Sequence, residues 1–330
     1  MSDLGVVVIG RNEGERLRRC FASIPASVPR EALVYVDSGS TDGSVALAHS
    51  LGLLVVKLDM STPFTAGRAR NEGFNHLISR HPDLRFVQFI DGDCELCEGW
   101  LEAATACFGQ YPRCGIAAGR TIEKYPEKSI YNLLCDLEWR EAPFGRVATC
   151  GGIFMIRQGL FMQLGGFNPQ VTAGEEPELC YRLRKQGWEV RRLDYPMVLH
   201  DAAMTRFSQW WKRAVRGGYS YAQGCTVDEK TRTRFCFMYS LRLWIWGLVL
   251  PGIILSLVLL LGPQWLWLFA VYPLQLARVA LKANQRFGRW RHSLTYAIFN
   301  TIGKWPQLYG QMKFWVGKAF RKPSSLIEYK

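Results

Sequence analysis

The stretch at residues 86–93, FVQFIDGD, decides how the rest of the chain is interpreted. Its mostly apolar start predicts a buried strand, which ends abruptly at two carboxylates, Asp91 and Asp93. Burying unpaired carboxylates is costly, so a cation is expected beside them. Oxygen ligands suit Mg²⁺ or Mn²⁺, usually together with ligand phosphates, and Gly92 would let a ligand come close to the backbone. An Asp-Gly turn without any ligand is the alternative.

Length and charge narrow the class of protein. The 330 residues suffice for one large domain with an appendage. The net charge of +13 favours nucleic acid, anionic lipid or a phosphorylated ligand as partner. The first residues lack the pattern of a signal peptide, so we expect the N-terminal part to lie in the cytoplasm, with its cysteines reduced. Cys94 and Cys97 have no matching second pair, which makes a zinc site the weaker interpretation.

The first hundred residues alternate between strand and helix patterns. The predicted strands are 5–9, 32–36, 53–58 and 85–90, and the predicted helices are 15–24 and 66–78. This alternation predicts an α/β fold with a mostly parallel, Rossmann-like sheet. Ligands bind at the carboxyl ends of such strands, where Asn12, Glu13 and Asp37 join the two aspartates. The fingerprints G-x-G-x-x-G and G-x-x-x-x-G-K-[ST] are absent, which disfavours dinucleotide-binding and P-loop enzymes.

Three later features carry further polar groups. A predicted strand at 148–157 contains the pair Gly151-Gly152, which indicates either close approach to a ligand or a bulge. Glu175 and Glu176 open a predicted helix, where they serve catalysis or simply offset the helix dipole. His200 follows a predicted strand at 188–199 and is either structural or a metal ligand.

Six motifs in this order resemble those of the family 2 glycosyltransferases, which have the GT-A fold. They are VVIGRNE at 7–13, VDSGSTDGS at 36–44, ARNEG at 69–73, DGD at 91–93, GGIFMIR at 151–157 and GEEPELCYRLR at 174–184. The resemblance implies a nucleotide-sugar donor, in the first place a UDP-sugar. The residues that it assigns to donor binding are Asn12, Glu13, Asp37 (for the base), Arg70 and Asp91 (near the ribose).

The same resemblance assigns the metal and the catalytic base. Asp93 would hold Mn²⁺ or Mg²⁺ on the donor diphosphate, and His200 would complete the metal site. Many relatives have Glu-Asp where this chain has Glu175-Glu176, so Glu176 takes the position of the base. Sugar transfer needs the acceptor hydroxyl to lose its proton and the leaving diphosphate to be neutralised, which one carboxylate and one divalent cation can do. A single displacement of this kind inverts the anomeric carbon.

The composition changes after His200. Residues 204–222 are basic and aromatic, which indicates either an amphipathic helix on a membrane surface or a helix packed on the catalytic domain. The sequence QWWKR at 209–213 loosely resembles the Q-x-x-R-W motif of processive synthases. Further contacts to the diphosphate or the acceptor are therefore expected from Glu175, Arg206, Trp211 and Arg213.

Two apolar segments follow, at 243–261 and 265–281, each near the lower end of the roughly 17–25 residues that a spanning helix needs. Basic residues flank the outer ends of the pair and not the turn, which predicts both ends in the cytoplasm. A re-entrant hairpin is the alternative. Residues 294–320 predict interfacial helices attracted to anionic lipid. We thus expect a GT-A domain at 1–225 and a membrane-associated helical region at 226–330.

The sequence as a whole predicts an inverting, metal-dependent hexosyltransferase at the inner or plasma membrane, with its catalytic domain in the cytoplasm. Its acceptor would be a lipid-linked sugar or another glycan, in the synthesis of surface polysaccharide or glycolipid. Membrane lipids are expected as partners, and nucleic acid is not. The alternatives are a processive polysaccharide synthase and a non-catalytic membrane scaffold that binds nucleotide sugars.

Overall fold

The computed structural model describes residues 3–62, 64–226 and 234–320. The chain forms two compact units, one of residues 1–124 and 139–202 and the other of residues 125–138 and 203–330. This division falls earlier than the predicted boundary at residue 225. The reason is that the helix covering residues 207–224 packs on the helix at Lys304–Ala319.

Within the described residues, the strands of the first unit form one nine-stranded sheet. They are β1 (Leu4–Gly10), β2 (Leu33–Asp37), β3 (Leu54–Lys57), β4 (Phe86–Asp91), β5 (Cys94–Leu96), β6 (Cys114–Glu123), β7 (Gly145–Val147), β8 (Phe154–Arg157) and β9 (Glu189–His200). The order is β3-β2-β1-β4-β8-β6-β9-β5, and β7 pairs with β9. Strands β3, β2, β1 and β4 are parallel, whereas β8 runs antiparallel to both of its neighbours. The predicted α/β class is confirmed.

Helices cover both faces of this sheet. They are α1 (Glu15–Ser23), α2 (Ser44–Ser50), α3 (Ala66–Arg80), α4 (Trp100–Gln110), α6 (Gln158–Gln163) and α7 (Glu175–Lys185), while α5 (Ile130–Arg140) begins in the second unit. Side chains of β1 alternate between two buried apolar clusters, with Val6 and Val8 in one and Val7 in the other. A strand buried on both faces has a continuous apolar sequence, which is why β1 could be predicted.

The register of the parallel strands brings their polar ends together. Gly10 of β1 lies opposite Asp37 of β2, and Ile9 lies opposite Asp91 of β4. The carboxyl ends of these three strands therefore meet at one edge of the sheet, as the sequence predicts.

One strand prediction was wrong in extent. The predicted strand at 148–157 is regular only in β8, and the residues before it form a loop that contains Gly151 and Gly152. A Cβ atom on Gly152 would lie 2.3 Å from Nη2 of Arg70. The loop therefore follows the surface of buried polar side chains instead of pairing with a strand.

The second unit consists of helices. They are α8 (Phe207–Gly224), α9 (Arg234–Trp244), α10 (Leu250–Leu261), α11 (Val271–Phe287), α12 (Trp290–Ile302) and α13 (Lys304–Ala319). A π-helical turn at Ile245–Val249 joins α9 to α10, and a 3₁₀ segment at Pro263–Ala270 leads into α11. Helical stretches at Cys236–Leu261 and Pro263–Phe287 are long and apolar enough to cross a membrane. They contain both predicted spans, and membrane insertion itself stays a prediction.

Helices α8 and α13 approach each other at two glycines. A Cβ atom on Gly218 would lie 1.8 Å from the carbonyl oxygen of Gln307, and one on Gly310 would lie 2.0 Å from that of Val215. The backbones are therefore in direct contact, as in membrane helix pairs that use small residues. The opposite side of α13 is apolar and exposed at Trp305, Tyr309, Met312 and Val316.

Candidate active site

Asp37 fixes the loop that follows β2. Its side chain is buried, and Oδ1 accepts a hydrogen bond from the Tyr35 hydroxyl at 3.0 Å. Oδ2 accepts the backbone N–H groups of Gly39 and Ser40 at 3.0 and 2.9 Å. The carboxylate is thus held rigidly at the sheet edge, although its predicted contact with the donor base stays a prediction.

Asn12 and Glu13 shape the neighbouring loop after β1. Asn12 has a left-handed backbone with φ of 55°, and its Oδ1 accepts the backbone N–H of Thr41 at 2.7 Å. Its own N–H donates to Oγ of Ser40 at 3.0 Å, so the two loops are tied together. Glu13 forms an ion pair with Arg16 at 2.8 Å. Both residues lie at the predicted edge, and their contact with the donor stays a prediction.

Arg70 is the centre of the site. It lies on α3 with 2% of its side chain exposed. Nη2 donates to Oδ1 of Asp91 at 2.8 Å, while Nη1 faces Oε1 of Glu175 at 3.3 Å and Oε1 of Glu176 at 3.5 Å. The chain positions 70, 91 and 175–176 are far apart in sequence, and the fold brings them to one buried cation.

Glu176 combines a buried position with an opening to solvent. It starts α7 beside Glu175, and 17% of its side chain is exposed. Burial and the neighbouring charge of Glu175 raise the pKa of Glu176 to about 7, against the lowering effect of Arg70. A carboxyl group with a pKa near neutrality can exchange a proton at working pH, which is what a general base needs.

The second glycine of the pair, Gly152, is explained by this same cluster, whereas a Cβ atom on Gly151 would meet no atom within 4 Å. A Cβ atom on Gly152 would lie 2.3 Å from the guanidinium of Arg70 and 2.8 Å from Oε1 of Glu176. The backbone at Gly152 thus closely approaches protein side chains, and the predicted approach of a ligand to the glycine pair stays a prediction.

Asp93 and His200 form the second half of the site. Asp93 follows β4 with 1% of its side chain exposed, and its Oδ2 lies 3.4 Å from Nε2 of His200 at the end of β9. The Sγ of Cys94 donates to Oδ1 of Asp93 at 3.4 Å. Ligand atoms of Asp93, Cys94 and His200 lie within 4.8 Å of one another. Carboxylate and imidazole groups at this spacing are of the kind that hold a divalent metal.

Sequence reasoning missed two neighbours of His200. Cys94 was considered only with Cys97, and its position beside Asp93 was the available signal. Glu123, at the end of β6, faces the other ring nitrogen of His200, with Oε2 at 3.7 Å from Nδ1. No local pattern marks Glu123, because strands β6 and β9 pair across a long stretch of chain.

Three predicted contact residues belong to the second unit. Arg206 is exposed just before α8, and its backbone N–H donates to Oε1 of Gln209 at 2.9 Å. Trp211 packs beside Phe207, with ring centroids 5.8 Å apart. Arg213 forms an ion pair with Glu138 at 2.7 Å. Their contact with diphosphate or acceptor stays a prediction.

The sheet order and the carboxylates at its edge are those expected of an α/β domain of the GT-A type. A model of glycosyl transferase family 2 matches residues 5–165, and a model of the glycosyl transferase family group 2 matches residues 95–317. Because the second match covers more than half of the chain, the chain belongs to the family 2 glycosyltransferases. The predicted resemblance is confirmed.

Individual curated relatives are also named as glycosyltransferases. The pre-mycofactocin glycosyltransferase of Mycobacterium tuberculosis is 28% identical over 259 residues, which is 74% of this chain and 52% of that protein. A putative polypeptide N-acetylgalactosaminyltransferase 13 of Drosophila melanogaster is 24% identical over 60% of this chain and 41% of its own length. The chain thus spans about half the length, or less, of these curated relatives.

Among solved structures, the mannosyltransferase PcManGT of Pyrobaculum calidifontis, in complex with GDP-Man and Mn²⁺, is similar with a TM-score of 0.56. It is 18% identical, and the match covers 90% of this chain and 86% of that one. At this identity the similarity establishes the fold, and the GT-A class is confirmed.

Proposed function

We propose that the protein is a glycosyltransferase that moves a sugar from a nucleotide-sugar donor to an acceptor hydroxyl, with a divalent metal and with inversion. The observation that supports it most is the buried guanidinium of Arg70, which contacts both Asp91 and Glu176. One cation thus joins the carboxylate proposed to face the donor ribose to the carboxylate proposed as the base.

The donor would lie at the carboxyl edge of β1, β2 and β4. Asp37, with its loop already fixed, would face the nucleobase, and Asp91 would face the ribose. A similar structure contains GDP-Man, so guanosine and uridine donors both belong in the first screen, with a UDP-sugar as our first expectation.

Glu176 would act as the base in a single displacement. The acceptor oxygen forms a bond to the anomeric carbon while the bond from that carbon to the diphosphate oxygen breaks. The acceptor proton passes to the Glu176 carboxylate, and the nucleoside diphosphate leaves with the bonding electrons. Attack opposite the leaving group inverts the anomeric carbon, which NMR of the product would check.

Asp93 and His200 fit a bound Mn²⁺ or Mg²⁺. A buried carboxylate oxygen and an imidazole nitrogen 3.4 Å apart offer donors that these ions accept. Burial raises the pKa of the Cys94 thiol well above its usual value, and Mn²⁺ and Mg²⁺ prefer oxygen donors to a thiol. When bound, the metal would act as a Lewis acid that stabilises the charge of the leaving diphosphate.

The acceptor would be a lipid-linked sugar or another glycan at a membrane. Two apolar helical stretches support this, because only 17% and 11% of their most apolar windows are buried inside the protein. Core helices of soluble proteins are mostly buried instead. We propose the inner or plasma membrane, a cytoplasmic catalytic unit and a hexosyl product for surface polysaccharide or glycolipid.

Release of nucleoside diphosphate tests this function. Detergent-purified protein is incubated with Mn²⁺ or Mg²⁺, a panel of UDP-, GDP- and dTDP-sugars and a membrane lipid extract. We expect release from one donor that needs the lipid extract and is lost on chelation. Release that persists after chelation would contradict the metal role. If the protein binds a donor but releases no nucleoside diphosphate from any sugar in the panel, that result would contradict an enzymatic function and favour a non-catalytic scaffold.

A further inference from the structure

We propose that Glu123 is a positioning residue for His200: its carboxylate holds Nδ1–H of the imidazole, so that Nε2 presents its lone pair to the metal. The inference rests on the proposed function, because it assigns His200 to a metal site. It adds a residue that touches neither metal nor donor and acts through the orientation of the ring.

The backbone brings the two residues together. Glu123 ends β6, His200 ends β9, and the two lie directly opposite each other in the parallel pairing of these strands. The backbone N–H of Lys124 donates to the carbonyl oxygen of His200 at 2.8 Å. The main chain of His200 is therefore fixed relative to Glu123, and only the rotation of its side chain remains to be set.

The imidazole lies between two carboxylates. Nε2 is 3.4 Å from Oδ2 of Asp93, and Nδ1 is 3.7 Å from Oε2 of Glu123. The second distance exceeds a normal N–H···O hydrogen bond by roughly half an ångström or more, which a small rotation of the ring can close. The ring of Trp139 packs edge-on against the imidazole, with the ring centroids 4.8 Å apart.

Because the carboxylate of Glu123 is buried, it needs hydrogen-bond donors from the protein. Its side chain has 0% exposure, and a buried carboxylate is costly unless its oxygens accept hydrogen bonds. The backbone N–H of Ala202 donates to Oε2 at 3.2 Å. An imidazole N–H on the same side would be a further donor to this group.

A positioning role fits Glu123 better than direct ligation. Among the described residues, the acidic, thiol and imidazole groups whose ligand atoms gather within 4.8 Å are Asp93, Cys94 and His200. Metal-bound histidines usually donate their other N–H to a carboxylate, carbonyl or water, which fixes the tautomer. Removing such a partner typically costs 10–100-fold in metal affinity.

Metal affinity tests the inference without any turnover. Binding of Mn²⁺ is titrated by EPR in the wild type, Glu123→Leu, Glu123→Gln and Glu178→Gln. We expect Glu123→Leu to bind roughly 10–100-fold more weakly. Glu123→Gln, which keeps an acceptor oxygen, should recover most of the affinity. Glu178→Gln is the matched control: Glu178 is a buried carboxylate of the same unit that pairs with Arg182, and its loss should leave Mn²⁺ affinity unchanged.

The histidine tautomer gives a second readout that does not depend on the folding of the leucine variant. In ¹⁵N-histidine-labelled wild type with Mg²⁺, we expect His200 to carry its proton on Nδ1. The Nδ1–H resonance should move in Glu123→Gln, because a neutral acceptor replaces a charged one. A proton on Nε2 in the metal-bound protein would overturn the inference.

The outcomes separate this inference from the proposed function. If the wild type binds Mn²⁺ and Glu123→Leu binds it equally well, Glu123 has no positioning role, and the metal site still stands. If neither the wild type nor Glu178→Gln binds Mn²⁺, the proposed metal site fails and the inference fails with it.

Discussion

At the scale of single residues, the site depends on one guanidinium shared by three carboxylates. Burial alone would lower the pKa of Arg70, but Asp91, Glu176 and Glu175 together hold that pKa above its usual range. Arg70 therefore stays charged. Glu176 shares this cation with two other acids and lies in a buried position, so its own pKa rises to about 7.

The stability of Glu176→Gln should depend on pH. Between its ordinary pKa of 4.5 and about 7, Glu176 binds a proton more tightly in the folded protein than in the unfolded chain. The wild type therefore loses stability as pH rises through this window, and Glu176→Gln does not. Urea denaturation should give equal stability at pH 4 and a variant more stable by roughly 3 kcal/mol at pH 8. Equal stability at pH 8 would contradict the raised pKa.

The acid limb of the pH–rate profile should move when Arg70 is changed. With the wild type, kcat/KM should rise with pH through about 7, because Glu176 must be ionised to accept the proton. Arg70→Lys keeps a positive charge but loses the planar guanidinium that reaches three carboxylates. Because Arg70 lowers the pKa of Glu176, weakening this contact should raise that pKa and shift the acid limb to higher pH. Arg68→Lys, on the same helix and bonded to the carbonyl oxygen of Thr62, is the control. Equal limbs in Arg70→Lys and the wild type would contradict the role of Arg70.

Some of these residues could be predicted from local sequence and others could not. Asp91 and Asp93 interrupt an apolar strand, and Asp37 and Asn12 follow neighbouring strands, so the sheet edge could be inferred. Cys94 has only its neighbour Asp93 as a signal. Contacts of Glu123 with His200, and of Arg70 with Glu176, join residues far apart in the chain. Such contacts depend on how distant strands and helices pair, which short patterns do not encode.

At the scale of elements, strand patterns were more informative than glycine patterns. Strands β1, β2 and β4 were predicted close to their observed limits because almost all of their residues are buried, which gives a continuous apolar sequence. The edge strand β3 is only half-buried, and its short apolar run was still enough to locate it. The glycine pair at 151–152 was assigned to a strand, whereas it lies in a loop in which Gly152 packs against Arg70. No pattern in the sequence marks Gly218 and Gly310, although they allow the backbones of α8 and α13 to come into contact.

Substituting alanine for either of two adjacent glycines of α8 should change the stability of the protein in different ways. In Gly218→Ala the new Cβ would lie 1.8 Å from the carbonyl oxygen of Gln307, a backbone atom that cannot yield. We expect a loss of about 1–3 kcal/mol from overpacking, or more if the helices separate. Gly217→Ala meets no atom within 4 Å and should be neutral or stabilising by up to ~1 kcal/mol.

Thermal unfolding of both variants in the same detergent measures this difference. Gly218→Ala should melt lower than the wild type, and Gly217→Ala should melt at the same or a higher temperature. Equal melting temperatures for the two variants would show that α8 and α13 are not in backbone contact.

At the scale of the whole molecule, the net charge and the exposed apolar helices both favour association with a membrane. The net charge of +13 suits anionic lipid as well as a diphosphate donor. Large apolar side chains are exposed along both candidate spans, with Leu259 at 85% and Leu274 at 70%. The sequence predicted both segments from their length and composition. It did not reveal that residues 203–225 belong with the helical unit, because that depends on packing against α13.

Extraction of membranes with alkaline carbonate tests whether the protein is inserted in the membrane. The wild type should stay in the membrane pellet. Ile253→Arg puts a charge near the middle of the first candidate span, where an arginine costs about 2.5–3.5 kcal/mol, so a larger fraction should be extracted. Met162→Arg, at a similarly exposed position of the first unit, is the control and should stay in the pellet. Complete extraction of the wild type would contradict the spanning helices.

We propose Glu176 as the base of the sugar transfer, separate from the groups that hold the donor. The most direct test measures donor affinity by calorimetry and nucleoside-diphosphate release on the same preparation of Glu176→Gln. We expect affinity close to that of the wild type and release slower by roughly 10²–10⁴-fold. Release at a near-normal rate would mean that the proton goes elsewhere and would contradict the account.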